Sequence, residues 1–140
     1  VSADQASRRR AQLRRLLPLA ELQAQAARAR LGAARRAEAD ALSAVDALDR
    51  QRRETLARLD RSAPVDEGHR LVLAAQSGRW LRWYAAERRE RLTELARLKA
   101  EGAETARTTG RAIARHEILR ELEQRTSRTL ARARARRADE

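Results

Sequence analysis

Cysteine is absent from this sequence, which excludes disulfides and any chemistry run by a thiolate. Aromatic residues are scarce: two Trp, one Tyr and no Phe make up 2% of the 140 residues. Rings carry much of the apolar area of a compact core, and much of the 42% hydrophobic fraction here is Ala, which buries little. A thick globular core is therefore excluded, whereas a thin seam between two close helices can be filled. Long apolar runs are missing as well. The longest, 71–75, is far short of the roughly 20 residues needed to cross a bilayer. Only two Pro and five Gly interrupt the chain. The opening Val1-Ser2-Ala3-Asp4-Gln5 has no apolar stretch of the kind a secretory leader carries. With cysteine lacking, the expected location is cytoplasmic.

Charge is abundant instead. Charged residues reach 37% and the net charge is +12. A composition dominated by Ala, Leu, Glu and Arg favours long helices or coiled coils, with disorder as the rival where charge is high and aromatics are few. All basic residues but Lys99 are Arg, a skew that a GC-rich genome would also produce. The excess is even along the chain: 14 basic against 8 acidic residues in 1–61, and 18 against 12 in 62–140, so +6 in each part. A basic balance admits nucleic acid, a membrane surface or an acidic protein as partner.

Periodicity decides against disorder. Steps alternating four and three give Leu13, Leu17, Ala20, Ala24, Ala27, Leu31, Ala34, Glu38, Ala41, Val45, Leu48, Arg52, Thr55 and Leu59. All but Glu38, Arg52 and Thr55 are apolar, a seven-residue repeat sustained over six heptads. This predicts a helix over about 5–61, with a kink or a late start at Pro18. Asp46–Arg50, Asp49–Arg53 and Glu54–Arg58 are acid-to-base pairs at the spacing that supports an exposed helical face. Glu38 and Arg52 on the seam could fix register or reach out to solvent. A break over about 62–78 follows, holding Ser62, Pro64, Gly68, Ser77 and Gly78, with a short helix over 65–76 that has Pro64 early and Asp66 and Glu67 at its positive end. A second long helix is predicted over about 79–137, its seam including Leu81, Ala85, Leu92, Leu95, Ala106, Ile113, Leu119, Leu122 and Leu130. Past Ile113 the phase drifts: His116 falls on the strict seam and Leu119 does not. Gly102, Thr108, Thr109 and Gly110 should make its middle the weakest part. Two helices of nearly equal length, each about 85 Å long at 1.5 Å per residue, joined by a short connection, should lie antiparallel. The expected fold is all-α: a single long antiparallel two-helix coiled-coil hairpin.

Catalytic constellations are missing from the pattern. His69 and His116 lie in different segments, no carboxylate–His cluster has metal spacing, and no phosphate-binding glycine loop occurs. His116 reads as a seam-edge residue and His69 as a solvated loop residue. A two-helix seam also lacks room for a substrate pocket of usual size, so an enzyme is not expected, nor a cofactor or metal.

Two other clusters stand out. Trp80, Trp83 and Tyr84 are all the aromatics of the chain and sit beside Leu81. They either cap the hairpin end, packing on Leu71, Val72 and Leu73, or form a docking patch, since Trp and Tyr are enriched at interface hot spots. Arg8, Arg9, Arg10, Arg14 and Arg15 near one terminus, and Arg128, Arg132, Arg134, Arg136 and Arg137 near the other, would become neighbours in an antiparallel hairpin. That end is either solvated and frayed or an electropositive tip gripping something acidic. Phosphate contacts need only such charge, but no aromatics interleave with these Arg as a single-strand platform requires, so nucleic acid is the weaker expectation.

The arrangement resembles the flagellar and type III secretion export stalk proteins of the FliJ type. The likeness covers nearly the whole chain: its length, two long charged helices, and an aromatic motif opening the second, Ser77-Gly78-Arg79-Trp80-Leu81-Arg82-Trp83-Tyr84. The basic C-terminal end and its closing acidic pair, Asp139-Glu140, match too. The chain departs from the family one and two turns on, where large apolar residues usually continue the aromatic face and Ala86 and Glu90 stand here. The resemblance implies a cytoplasmic, non-enzymatic stalk, similar to the central stalk of rotary ATPases, at the inner face of the bacterial cell membrane. It implies that the end with the ten named Arg enters a hexameric export ATPase ring and activates it. It also implies that Trp80, Leu81, Trp83 and Tyr84 reach the cytoplasmic domain of a membrane export gate protein, with export chaperones as further partners and membrane association only through them. A nucleic-acid-binding or structural coiled coil is the alternative.

Overall fold

The computed structural model describes residues 2–61 and 66–139. Two helices, α1 (Ala3–Arg61) and α2 (Glu67–Ala138), make up the described fold, and no strand occurs among the described residues. The helices pack against each other and run in opposite directions: Arg10 of α1 meets Glu123 of α2, Ala27 meets Thr109, and Ala44 meets Arg91. The fold is an all-α helical hairpin.

Helix α1 opens on Ser2, whose Oγ accepts the Gln5 N–H at 3.3 Å and whose carbonyl takes the Ala6 N–H at 3.1 Å. This satisfies donors that the first turn leaves unpaired. Asp4 in the first turn and Arg58 and Arg61 in the last complement the helix dipole. Pro18 does not delay the start: α1 is helical from Ala3 straight through it. An interior Pro costs about 3 kcal/mol. It is offset by burial of Leu13, Ala20 and Ala24 on both sides and by Arg10 and Arg14, which are tied to Glu123.

Helix α2 starts sooner than expected. The connection does not extend to Gly78; the helix runs unbroken from Glu67, and the short helix expected over 65–76 is its first part. Asp66 is the cause. Its Oδ1 accepts the His69 N–H at 2.6 Å and its carbonyl takes the Arg70 N–H at 3.1 Å, an N-cap that fixes the start. His69 therefore stands in a first helical turn, not in a loop. Ser77 is accommodated within the helix, its hydroxyl donating to the Leu73 carbonyl at 2.7 Å, and Gly78 costs only about 1 kcal/mol relative to Ala. Ser62, the early helical place of Pro64, and Glu140 of the closing acidic pair lie outside the described residues.

Packing gathers the chain into two compact units, one of Val1–Ala33 with Ala103–Glu140 and one of Ala34–Gly102. In the first, Ala6, Leu13, Ala20, Ala24 and Ala27 of α1 and Thr109 and Leu130 of α2 are buried. The Ala side chains among them are small enough to let the backbones come close. Thr109 is 2% exposed, and its hydroxyl lies 3.1 Å from the Ala27 carbonyl across the seam and 2.7 Å from the Thr105 carbonyl in its own helix. In the second unit Val45, Leu48, Tyr84 and Leu95 are buried. Gly102 is buried too, and a Cβ there would sit 3.3 Å from Glu38 Oε2 and 3.5 Å from the Arg35 guanidinium.

The seam of α1 follows its heptads: every position from Leu13 to Leu59 in the four-three series is buried or half-buried except Arg52. The seam of α2 is another matter. Ala106, Ile113 and Leu122, expected on it, are half-buried, and its buried and half-buried residues include the run Leu73, Ser77, Trp80, Tyr84, Glu87, Arg91, Leu95, Leu98, Gly102, Thr105, Thr109, Ala112, His116, Leu119, Glu123, Thr126 and Leu130. This too is a four-three series, with an extra step of four at Glu87–Arg91–Leu95. Leu81, Ala85 and Leu92, expected on the seam, are exposed beside it, while His116 and Leu119 both belong to it. The middle of α2, expected to be its weakest stretch, is continuous helix and contributes the buried Gly102 and Thr109.

Small-residue packing predicts opposite signs for two kinds of enlargement. Ala24→Leu overfills a site that is 1% exposed and should lower the unfolding free energy by about 1–3 kcal/mol. Gly110→Ala, whose new Cβ meets nothing within 4 Å, should raise it by about 1 kcal/mol. Gly102→Ala should gain less, because the tips of Glu38 and Arg35 must give way. Urea unfolding followed by far-UV circular dichroism measures all three.

Candidate functional site

The aromatic cluster lies in the second unit, where it is built into the hairpin more deeply than its sequence suggests. Trp80 and Tyr84, one turn apart, stack with centroids 5.9 Å apart and planes at 28°. Tyr84 is 7% exposed, and its hydroxyl donates to Asp49 Oδ1 of α1. Arg88 Nε donates to the same oxygen at 3.0 Å, and Arg52 places its guanidinium 5.1 Å from the Tyr84 ring centre, a cation–π contact across the helices. Asp49 thus turns to α2 rather than to Arg53 of its own helix. Of the two seam charges, Arg52 reaches across in this way, whereas Glu38 pairs with Arg35 at 3.1 Å within α1.

These contacts set the titration of the cluster. The hydrogen bond from Tyr84, then that from Arg88, hold the Asp49 carboxyl below the usual carboxylate range. The same Asp49 bond, reinforced by burial, pushes the Tyr84 phenol above its usual value.

The four docking residues named from sequence divide. Tyr84 is buried and Trp80 half-buried in a groove with Thr55, Leu59, Leu73, Gln76 and Ser77. Trp83 is 47% exposed and Leu81 36%. Trp80 and Tyr84 are structural, and the free surface belongs to Trp83 and Leu81. Of the three residues expected beneath the rings, Leu73 lines the groove with Trp80, while Leu71 and Val72 are 70% and 55% exposed.

The basic end lies in the first unit, which brings both termini together. Asp4 and Ser7 share a groove with Leu130, Arg134 and Arg137. Of the ten Arg singled out, three have acidic partners. Arg8 pairs with Asp4 in the open, and Arg10 and Arg14 both reach Glu123 Oε1 at 3.4 Å. Ser127 donates to that oxygen at 2.8 Å, and its bond, then those of Arg10 and Arg14, hold the Glu123 carboxyl below its usual range. Arg9, Arg15, Arg128, Arg132, Arg134, Arg136 and Arg137 are exposed and form no ion pair among the described residues. Arg10 and Arg14 therefore lock the helices together, and the remaining seven carry the free charge. Sequence reasoning could not separate the two sets, because the acid that claims Arg10 and Arg14 is more than 100 residues away.

Among the described residues no group of three His, Cys, Asp or Glu could hold a metal ion, and no helix is long and apolar enough to cross a membrane. No family model, curated protein or solved structure matches the chain significantly.

The stability of the fold should fall at both ends of the pH scale. Carboxyls held low, as at Asp49 and Glu123, contribute above their unfolded values and lose that contribution as pH drops below about 4. A phenol held high contributes below about 10 and loses it as pH rises. Tyr84 is the sole tyrosine, so tyrosinate absorbance reads it alone. Its midpoint should lie above 10 and move down in Asp49→Asn; a native midpoint at the ordinary phenol value would contradict the Asp49 contact.

Proposed function

We propose that this chain is a coiled-coil stalk and adaptor of a flagellar or type III protein export apparatus. Its basic end binds and activates a hexameric export ATPase ring, and its aromatic cluster on α2 links the ring to the cytoplasmic domain of a membrane export gate protein. The role is mechanical and electrostatic rather than enzymatic, and the place of action is the cytoplasmic face of the bacterial membrane, reached through partners, export chaperones among them. The observation that carries the reading is that seven exposed Arg, without an ion pair among the described residues, lie in the unit that holds both terminal segments, where Arg134 and Arg137 share a groove with Asp4 and Ser7. An electropositive end of this kind suits a partner surface lined by acidic groups. The exposed Trp83 supports the second contact, because an isolated large ring on a charged helix surface is a natural interface anchor. The same Arg would also suit a nucleic acid, which makes a basic coiled-coil nucleic-acid binder or scaffold the second reading. No ring stands among them to stack a base.

ATP hydrolysis by the cognate export ATPase tests the proposal. The chain should stimulate it, and replacing Arg132, Arg134, Arg136 and Arg137 by Ala should raise the half-maximal concentration by about tenfold or more, a loss of at least ~1.4 kcal/mol. Unchanged stimulation would remove the basic-end model. Trp83→Ala should leave both stimulation and melting temperature intact while weakening gate binding, whereas Trp80→Ala should also lower the melting temperature because it unstacks Tyr84. Retention on nucleic acid at physiological salt, without any effect on the ATPase, would favour the second reading.

A further inference from the structure

A groove in the second unit shares Leu81 with the exposed surface of Trp83 and no residue with the basic end. It is open to solvent, with a volume of about 720 Å³, and lies between Arg52 and Arg53 of α1 and the stretch of α2 from Leu81 to Leu92. Its apolar floor is Leu81, Ala85 and Leu92, one face of α2 at steps of four and seven. Leu81 and Leu92 are each 36% exposed and stand off the seam, so they are not needed to close the hairpin. Within the groove, Arg88 is bound to Asp49 and Arg52 covers Tyr84; these two hold the walls. Arg53 and Arg89 line the same groove from opposite helices and form no ion pair among the described residues.

We propose that this groove docks an acidic amphipathic helix from another protein. The inference rests on the groove itself and not on the export reading. Three observations select the occupant. The floor extends over 12 residues of α2, 81–92, about 16 Å or three helical turns, which fits apolar side chains at i, i+4 and i+7 of a partner helix. Both walls are helices with their backbone groups paired internally, so an extended strand would find no main-chain partners and a helix loses nothing. Charge chooses the sign: Arg53 and Arg89 flank the apolar floor as the flanking charges of a helix seam do, and they call for Asp or Glu on the partner. A second copy of the chain is disfavoured because each carries +12.

A synthetic peptide of about 15 residues tests this, with Leu at a helical three-four spacing and Glu on its flanks, labelled and titrated with the full chain by fluorescence anisotropy. It should bind and gain helicity. Charge reversal at the groove, Arg53→Glu with Arg89→Glu, should weaken it by tenfold or more, as should Leu81→Ser, while Arg132→Glu with Arg136→Glu changes little. Circular dichroism checks that the variants stay helical, and Arg53→Gln with Arg89→Gln replaces the reversal if they do not. No binding, equal binding to the groove variants, or loss only with the basic-end variant would overturn the proposal. So would equal affinity for a peptide with Ser in place of Leu, which would reduce the contact to charge. Self-association of the chain abolished by the groove variants would overturn it in favour of a second copy.

Discussion

Close approach of two helix backbones is the constraint on which this structure depends. Ala20, Ala24 and Ala27 on one helix and Gly102 and Thr109 on the other are small enough that the Thr109 hydroxyl touches the carbonyl row of α1. Burying an Ala removes little apolar area, so each contact contributes modestly by transfer from water. Stability must come from repetition along a long seam and from dispersion between closely packed atoms. A few bulky residues, Leu13, Val45, Leu48, Leu95 and Leu130, bury more apolar area each and stabilise the seam more. Few aromatics are needed, and the scarcity of rings follows from the same geometry.

A seam this thin leaves polar groups close to its axis, and the chain satisfies them across the helices. Glu123 collects Arg10, Arg14 and Ser127; Asp49 collects Tyr84 and Arg88. No buried side-chain nitrogen or oxygen among the described residues is left without a partner. Specific polar contacts of this sort do more for register than for raw stability, since alternative alignments would strand them. The pairs also sort the many Arg into those used up in holding the helices and those left for partners. That division, rather than the net charge, is what gives the basic end and the Arg53–Arg89 groove their separate characters.

Much of α1 was legible because its heptads are written in apolar residues: reading every seventh step from Leu13 finds its buried face. Helix α2 was harder for a physical reason. Its seam is carried by Ser77, Gly102, Thr105, Thr109, His116, Glu123 and Thr126, residues that hydropathy counts as polar or neutral but that a close-packed seam accepts because they are small or paired. The apolar Leu81, Ala85 and Leu92 outlined a plausible stripe that is a surface groove instead. Ser77 and Gly78 looked like a stop because they weaken a helix intrinsically, yet the Asp66 cap and the opposing α1 outweigh them. The aromatic motif was visible, but its division into a buried Trp80–Tyr84 stack and an exposed Trp83 depends on Asp49, Arg52 and Arg88, which no local pattern connects. The basic end was found whole, and only the long-range Glu123 shows which of its Arg are spent.

Every functional role proposed for this chain requires that it zip onto itself in one register, with Ala27 facing Thr109. Because the chain has no cysteine, the most direct measurement is a double replacement, Ala27→Cys with Thr109→Cys, oxidised gently over a range of protein concentrations. The account predicts a disulfide within a single chain, formed at a rate independent of concentration and absent when Ala27→Cys is paired with Leu95→Cys. Cross-linking only between chains, or equal linkage in both pairs, would contradict it.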